Sequence, residues 1–321
     1  MQTRVYRNGV LEAENFDPAH CSDYLEQQDT VVWLDVCRPT AEDFAVVADE
    51  LGLHPLARED ATGHAQRPKL EPYAGHEFLV AYGARFDPGT RELTTSEVDV
   101  FFDRRWLLTV RKDPVFDMAP VLRRWDDAPE LAKHGVAFLL HGLLDVVVDG
   151  HFAVVEQLDD AIEGLEDTLF ADGSPGLAIQ RETFALRKAL VAFRRIVLPM
   201  REVVNGLMRR DTIDADLVPY YQDVYDHVLR ATEWTESLRD LVTSVLETHL
   251  TIQGNRLNEV MKRLTSYAAI VAVPTAIAGV YGMNTRLYPA TGSVAGWWFA
   301  IGSMAAISTF LFFWFRTKDW L

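Results

Sequence analysis

The chain reads as an α+β domain with a mainly antiparallel sheet, a long stalk helix and two C-terminal membrane helices. Three observations predict this. Up to about residue 128, strand-like and helix-like patterns alternate. A helical pattern then runs on for far longer than a globular domain needs. The C-terminal residues hold two long stretches without charge, separated by Arg286.

Charge is distributed unevenly along the 321 residues. The net charge is −16 and 24% of residues are charged, which alone resembles an average soluble protein. Residues 262–321, however, hold Lys262, Arg263, Arg286, Arg316 and Lys318 against Asp319 only. They sum to +4 and leave −20 on the first 261 residues. An acidic body of this kind lacks the basic footprint of a nucleic-acid binder and suits a protein that handles cations. Cys21 and Cys37 are too few for a disulfide framework and lack metal-ligand spacing, so reduced thiols are expected. The N-terminal MQTRVYRNGVLEAENF has no apolar run behind its charges, and no signal peptide is expected.

VVWLDV (31–36) predicts a strand, and TAEDFAVVADELG (40–52) an amphipathic helix starting near Thr40 or Asp43. HAQRPKLEPY (64–73) reads as turns. EFLVAYGARF, TSEVDVFFD and WLLTVRK then predict three strands, separated by DPGT and DRR. No glycine-rich phosphate loop, HExxH or nucleophile elbow follows any strand, which argues against an enzyme. From about Glu130 the pattern is helical. Residues 138–170 form a long amphipathic helix with acids on its polar face. DGSPG (172–176) breaks it before a second helix whose exposed face is rich in Arg and Lys. A third helix is expected from Pro219 to Gly282, roughly 95 Å at 1.5 Å per residue.

Leu264–Thr285 carries no charge, and neither does Leu287–Phe315, whose continuous apolar part is Trp297–Phe315. A bilayer core of about 30 Å needs about 20 helical residues, so both are membrane-span candidates. Trp297, Trp298 and Trp314 fall at the ends of the second, where interfacial aromatics belong. Lys262 and Arg263 before the first span, with Arg316 and Lys318 after the second, place both termini in the cytosol by the positive-inside rule. The expected parts are thus a cytosolic α/β domain (1–128), a helical hairpin (129–218), a stalk (219–263), a first span (264–284), an external loop (285–296), a second span (297–315) and a cytosolic tail (316–321). The protein is expected in the cell membrane, in contact with the lipid bilayer.

The second span is bulky and suited to lipid. The first carries a stripe at alternating three- and four-residue steps: Asn258, Met261, Thr265, Ala268, Ala272, Thr275, Gly279 and Gly282. Small residues line ordinary helix contacts in membranes. They would equally suit a narrow hydrated path enclosed by several copies, since two spans cannot enclose one alone.

Tyr281-Gly282-Met283-Asn284, at the outer end of the first span, resembles the CorA family of divalent-cation transporters, in which Gly-Met-Asn at this place is the signature. GLHPLAREDA and HAQRPKLE within 52–71, PYYQDVYDH (219–227), NEVMKRLT (258–265) and the final Trp320-Leu321 are similar in order and spacing. The resemblance implies a funnel-shaped homopentamer that conducts hydrated Mg²⁺, with Co²⁺ and Ni²⁺ as further candidates. It implies that Asn284 forms a ring at the outer mouth and, with the Gly282 carbonyl, holds the ion by its water shell. Neutral oxygens suit Mg²⁺, which gives up water reluctantly. Thr275 would form a hydroxyl ring, and Asn258, Met261 and Leu264 a narrow gate. Asp60 and Asp223 match the family's intersubunit pair for regulatory Mg²⁺, and Glu59 and Asp145 a second acidic site. Each of these residues also has an ordinary alternative: a helix cap for Asn284, a solvated surface charge for the acids.

Two departures stand out. The loop TRLYPATGSVAG (285–296) has no acid and carries Arg286, where many relatives have an acidic loop. The tail has two basic residues where a denser lysine cluster is common. Competing readings are therefore a zinc transporter of the same superfamily, proton-coupled or not, and a non-conducting cation-sensing scaffold. Zinc prefers His and Cys, which are absent from 258–321. A membrane-anchored metal hydrolase has no supporting motif.

Overall fold

The computed structural model describes residues 1–63, 65–170, 176–210, 213–283 and 293–321. It divides into two units, Met1–Val245 and Leu246–Leu321. Among the described residues of the first unit, seven strands form one sheet: β1 (Gln2–Arg7), β2 (Val10–Glu14), β3 (Thr30–Cys37), β4 (Lys69–Tyr73), β5 (His76–Asp87), β6 (Glu92–Phe102) and β7 (Trp106–Arg111). Their order is β2-β1-β3-β7-β6-β5-β4. Only β3 and β7 pair in parallel, so the sheet is mainly antiparallel, as the alternating pattern predicts.

Two elements escape a reading by periodicity. The β1–β2 hairpin turns at Asn8-Gly9, with φ of 49° and 80°, the left-handed pair that a two-residue hairpin turn requires. A Cβ on Gly9 would lie 2.7 Å from the backbone N of Lys133, so glycine is needed for space as well. Strand β4, KLEPY, looks like a loop because it carries two charges and Pro72. It lies at the sheet edge, where a missing N–H is tolerated.

Helices cover both faces. A short α1 (Cys21–Leu25) precedes β3, and α2 (Ala41–Glu50) follows it, opened by a reciprocal Thr40–Asp43 capping box. Phe44 of α2 reaches Phe101 of β6, their ring centroids 6.2 Å apart. α3 (Pro55–Thr62) starts with Pro55 after the His54 cap, whose Nδ1 accepts from the Leu56 N–H at 3.2 Å. On the other face lie α4 (Ala119–Asp126), the single-turn α5 (Pro129–Ala132), α6 (Val136–Phe170), α7 (Gly176–Met208) and the start of α8 (Val218–Tyr281). There Trp33, Leu79, Val100 and Leu107 of the sheet meet Trp125, Phe138, Leu143, Leu144, Met200, Val204 and Tyr221 in one core. The Trp125 indole N–H donates to the Leu139 carbonyl at 2.9 Å, and the Tyr221 hydroxyl to the Ala137 carbonyl at 2.8 Å. Buried aromatic groups thereby keep their polar atoms paired.

The second unit consists of α8 from Leu246 onward and α9 (Val294–Thr317). Ser293 caps α9 by accepting from the Gly296 N–H at 3.0 Å. The Ser308 hydroxyl of α9 reaches the Ile270 carbonyl of α8 at 3.5 Å. Among the described residues, three helices are long and apolar enough to cross a membrane: α6, α8 and α9. The most apolar window of α6 is 67% buried inside its own unit, whereas those of α8 and α9 are only 6% buried. Helix α6 is therefore a core helix, and α8 and α9 present apolar surface that the chain does not cover.

Candidate functional site

The carboxylates singled out by sequence fall into two groups in the first unit. Asp60 and Glu59 share α3. Asp60 is half-buried and its Oδ2 accepts from the Lys69 ammonium of β4 at 2.6 Å. Lys69 also donates to Glu71 Oε2 at 2.9 Å. These two carboxylates hold the ammonium in its charged form despite its partial burial. Glu59 is exposed.

Asp145 belongs to the second group. It lies on α6, mostly buried, and pairs with Arg124 of α4, which also reaches Asp149 at 3.2 Å. Burial pushes the Asp145 carboxyl up, and Asp149 and Asp223 add to the rise, while Arg124 opposes it. Asp223 is exposed on α8 and its carboxylate is 3.5 Å from His227 Nδ1. His141, one turn before Asp145, packs edge-on against Tyr220 and Tyr221. The junction of α4, α6 and α8 thus brings His141, Asp145, Asp149, Asp223 and His227 within electrostatic reach of one another, with the Arg124 guanidinium paired to Asp145 and Asp149. Sequence reading missed Arg124, His141, Asp149 and His227. The four-residue steps 141–145–149 and 223–227 were the available signal, since such residues share a helix face. No described contact joins Asp60 or Glu59 to this group. Among the described residues, no three His, Cys, Asp or Glu side chains are arranged to hold a metal ion.

Two buried histidines give this unit a pH dependence. Burial pushes His141 and His151 down to about 4. The Nε2–H of His151 donates to the Tyr82 carbonyl at 2.8 Å. Both are neutral in the fold and protonate near 6.5 when unfolded. Their contribution to stability is complete above about pH 6.5 and is lost as pH falls towards 4. Each should cost on the order of 2 kcal/mol by about pH 5. Thermal melts at about pH 7 and pH 5 should show a lowered Tm at the acid end, with a smaller drop in His151→Gln. An equal drop in the variant would contradict the assignment.

In the second unit, Asn258, Met261, Leu264, Thr265, Ala268, Ala272, Thr275 and Gly279 of α8 are all exposed. On the same helix Ser266 is fully buried, and Ile270, Val273, Ile277 and Tyr281 are half-buried. At 100° per residue these two sets lie on roughly opposite sides of the helix. Ser308 of α9 contacts the covered side at Ile270. The stripe of small and polar residues thus lies on the side that α9 leaves bare, beside the exposed Val260, Tyr267, Val271 and Val280. Local hydrogen bonding keeps it quiet: Thr275 Oγ1 donates to the Val271 carbonyl at 3.0 Å. Trp320, after α9, borders the same groove as Asn258, Met261 and Thr265.

At the end of α8 the Gly282 N–H donates to the Ala278 carbonyl at 2.9 Å, and the Met283 N–H to the Val280 carbonyl at 3.3 Å. A Cβ on Gly282 would sit 3.1 Å from the Ala278 oxygen, so a side chain there must shift the last turn. Met283 is exposed. Asn284 and Arg286 lie outside the described residues.

Comparison with known proteins gives a consistent result. Residues 28–317 match the family described as CorA-like Mg²⁺ transporter protein. The cobalt/magnesium transport protein CorA of Thermotoga maritima is 31% identical over 327 residues, covering all of this chain and 92% of the relative. The cobalt/magnesium transport protein CorA of Methanocaldococcus jannaschii is 23% identical over 99% of this chain and 98% of its own length. The complete structure of the CorA magnesium transporter from that organism superposes with a TM-score of 0.79 at 22% identity. It covers 99% of this chain and 98% of the solved one.

Proposed function

We propose, from the premise that this chain belongs to the CorA-like Mg²⁺ transporter family, that five copies form a closed ring and conduct hydrated divalent cations along α8. Family membership makes the protein a membrane ion transporter and not an enzyme. The finer reading takes Mg²⁺ as principal substrate, with Co²⁺ and Ni²⁺ accepted. One observation carries it: the small and polar stripe of α8 is exposed along its whole length, on the side away from α9. Packing against lipid would favour bulky apolar residues there, as on α9 with its exposed Phe299, Phe310 and Phe313. Copies facing one another across an axis would enclose a path walled by Asn258, Met261, Leu264, Thr265, Ala268, Ala272, Thr275 and Gly279, too narrow for bulky side chains.

At the outer end, Asn284 amide oxygens and the Gly282 carbonyl would receive the ion with its water shell, a contact that avoids early dehydration of Mg²⁺. Asn258, Met261 and Leu264 would form the gate. Asp60 of one subunit and Asp223 of its neighbour would bind cytosolic Mg²⁺ and hold the closed state, with Glu59 and Asp145 assisting. Both termini would be cytosolic in the cell membrane.

Native mass spectrometry of the detergent-solubilised protein should show about five subunits, the ring this path requires. Monomers or dimers alone would exclude it. In proteoliposomes, Mg²⁺ and Co²⁺ should enter without a pH gradient. Flux of Zn²⁺ only, and only with a proton gradient, would favour the zinc-handling branch. A pentamer with no flux at all would point to a sensing scaffold.

A further inference from the structure

We infer that Lys69 is a resident competitor for the regulatory cation: its ammonium holds the Asp60 carboxylate, and a divalent ion engages Asp60 fully only by displacing it. Three features of the site carry this. First, the pair is close and sheltered, with Lys69 Nζ 2.6 Å from Asp60 Oδ2 and side-chain exposures of 17% and 28%. Such a contact is not a solvated surface pair, which would contribute little. Second, Lys69 keeps partners when it lets go of Asp60. Glu71 Oε2 is 2.9 Å away, and the Phe78 ring centroid lies 5.4 Å from the ammonium. Displacement therefore leaves no buried charge stranded, which is the costly outcome for a broken ion pair. Third, Asp60 Oδ1 has no hydrogen-bond partner among the described residues, so an approaching hydrated ion has an acceptor before the lysine moves.

A cation beside a carboxylate weakens its hold on a second cation. For a proton the effect is one to three tenfold steps in affinity. A divalent ion meets the same opposing charge. Lys69 would thus set the concentration at which the sensor responds, raising it above what two bare carboxylates would give. Helix α4 repeats the arrangement, because Arg124 occupies Asp145 and Asp149 in the same way.

This inference rests on Asp60 being a cation-sensing carboxylate, and the test separates the two. The full-length protein in detergent is digested with chymotrypsin across a Mg²⁺ series, and the concentration giving half-maximal protection is read. Lys69→Met should lower that concentration roughly tenfold, the smallest step expected from removing one adjacent charge. Lys69→Arg, which keeps the charge, should stay within about threefold of the parent. Asp60→Asn should remove the protection. A merely structural role for Lys69 would predict weaker protection on its loss, the opposite sign. If Lys69→Met matches the parent or needs more Mg²⁺ while Asp60→Asn loses protection, the competition is overturned and the sensor reading stands. If Asp60→Asn keeps full protection, the sensor reading itself fails and this inference with it. Should Lys69→Met fail to assemble, Lys69→Gln removes the charge and keeps an amide donor to Asp60, and the same comparison decides.

Discussion

Replacing Asn284 by alanine should lower divalent-cation flux in proteoliposomes by at least about a hundredfold while the complex still assembles. The substitution removes one neutral oxygen acceptor from each of five copies. At about 0.5–1.5 kcal/mol net per hydrogen bond, the proposed ring would contribute several kcal/mol to receiving a hydrated ion, more than the roughly 2.7 kcal/mol that a hundredfold change requires. Assembly should persist because the substitution alters no residue of the described core. Radioisotope or fluorescent-dye uptake measures the flux, and native mass spectrometry checks the assembly. Gly282 supports the same region differently. Its missing Cβ lets the last turn close on the Ala278 carbonyl, so the backbone that precedes Asn284 depends on it. Flux at the parental rate in Asn284→Ala would mean that the Gly-Met-Asn motif has no conducting role in this chain.

Removing both Asp60 and Asp223 should abolish the protection that millimolar Mg²⁺ gives against proteolysis. Two carboxylates about 4 Å apart repel by about 1 kcal/mol in water, and more where solvent is partly excluded. Around a ring of five interfaces that approaches 5 kcal/mol, enough to bias a two-state assembly several thousandfold. Lys69 already neutralises part of this at Asp60, so the bias in the parent chain is smaller than this upper figure. In the proposed ring, bound Mg²⁺ would reverse the sign of the interaction and hold the interfaces together. In the Asp60→Ala, Asp223→Ala protein the protease pattern should be the same with and without Mg²⁺. Unchanged Mg²⁺-dependent protection would move the sensor elsewhere, with Asp145, Asp149 and His227 at the Arg124 junction the next residues to test.

Where sequence reading succeeded and failed follows the range of the forces involved. The strands β3, β5, β6 and β7 announce themselves because both of their faces are covered, which gives near-continuous apolar runs. Strands β2 and β4 do not, because edge strands need little apolar surface and tolerate Pro72 and charge, and the interior β1 hides its buried Val5 and Tyr6 between Arg4 and Arg7. Asp60 and Asp145 could be singled out by motif, yet their partners could not. Lys69 is nine residues from Asp60, and Arg124 is 21 residues before Asp145. Only the packing of α3 on β4, and of α4 on α6, brings each cation to its carboxylate.

By itself, the sequence determined the placement of two long apolar stretches at the C-terminus, because burial in hydrocarbon demands long runs of uncharged residues whatever surrounds them, and the transport class through its resemblance at Tyr281-Gly282-Met283-Asn284. It also determined the sheet's antiparallel character, through short turns that permit no crossover between most strands. The tertiary structure decided three matters of proximity. Helix α6, as apolar as a membrane span, is a core helix because two-thirds of its most apolar window is buried within the fold. The stripe on α8 lies on the side that α9 leaves bare. The acids marked by motif are held by Lys69 and Arg124. Apolarity is carried by a stretch of chain and can be read locally. Which side of a helix is covered, and which cation neutralises which carboxylate, depends on atoms brought together from distant positions, and exists only once the chain has folded.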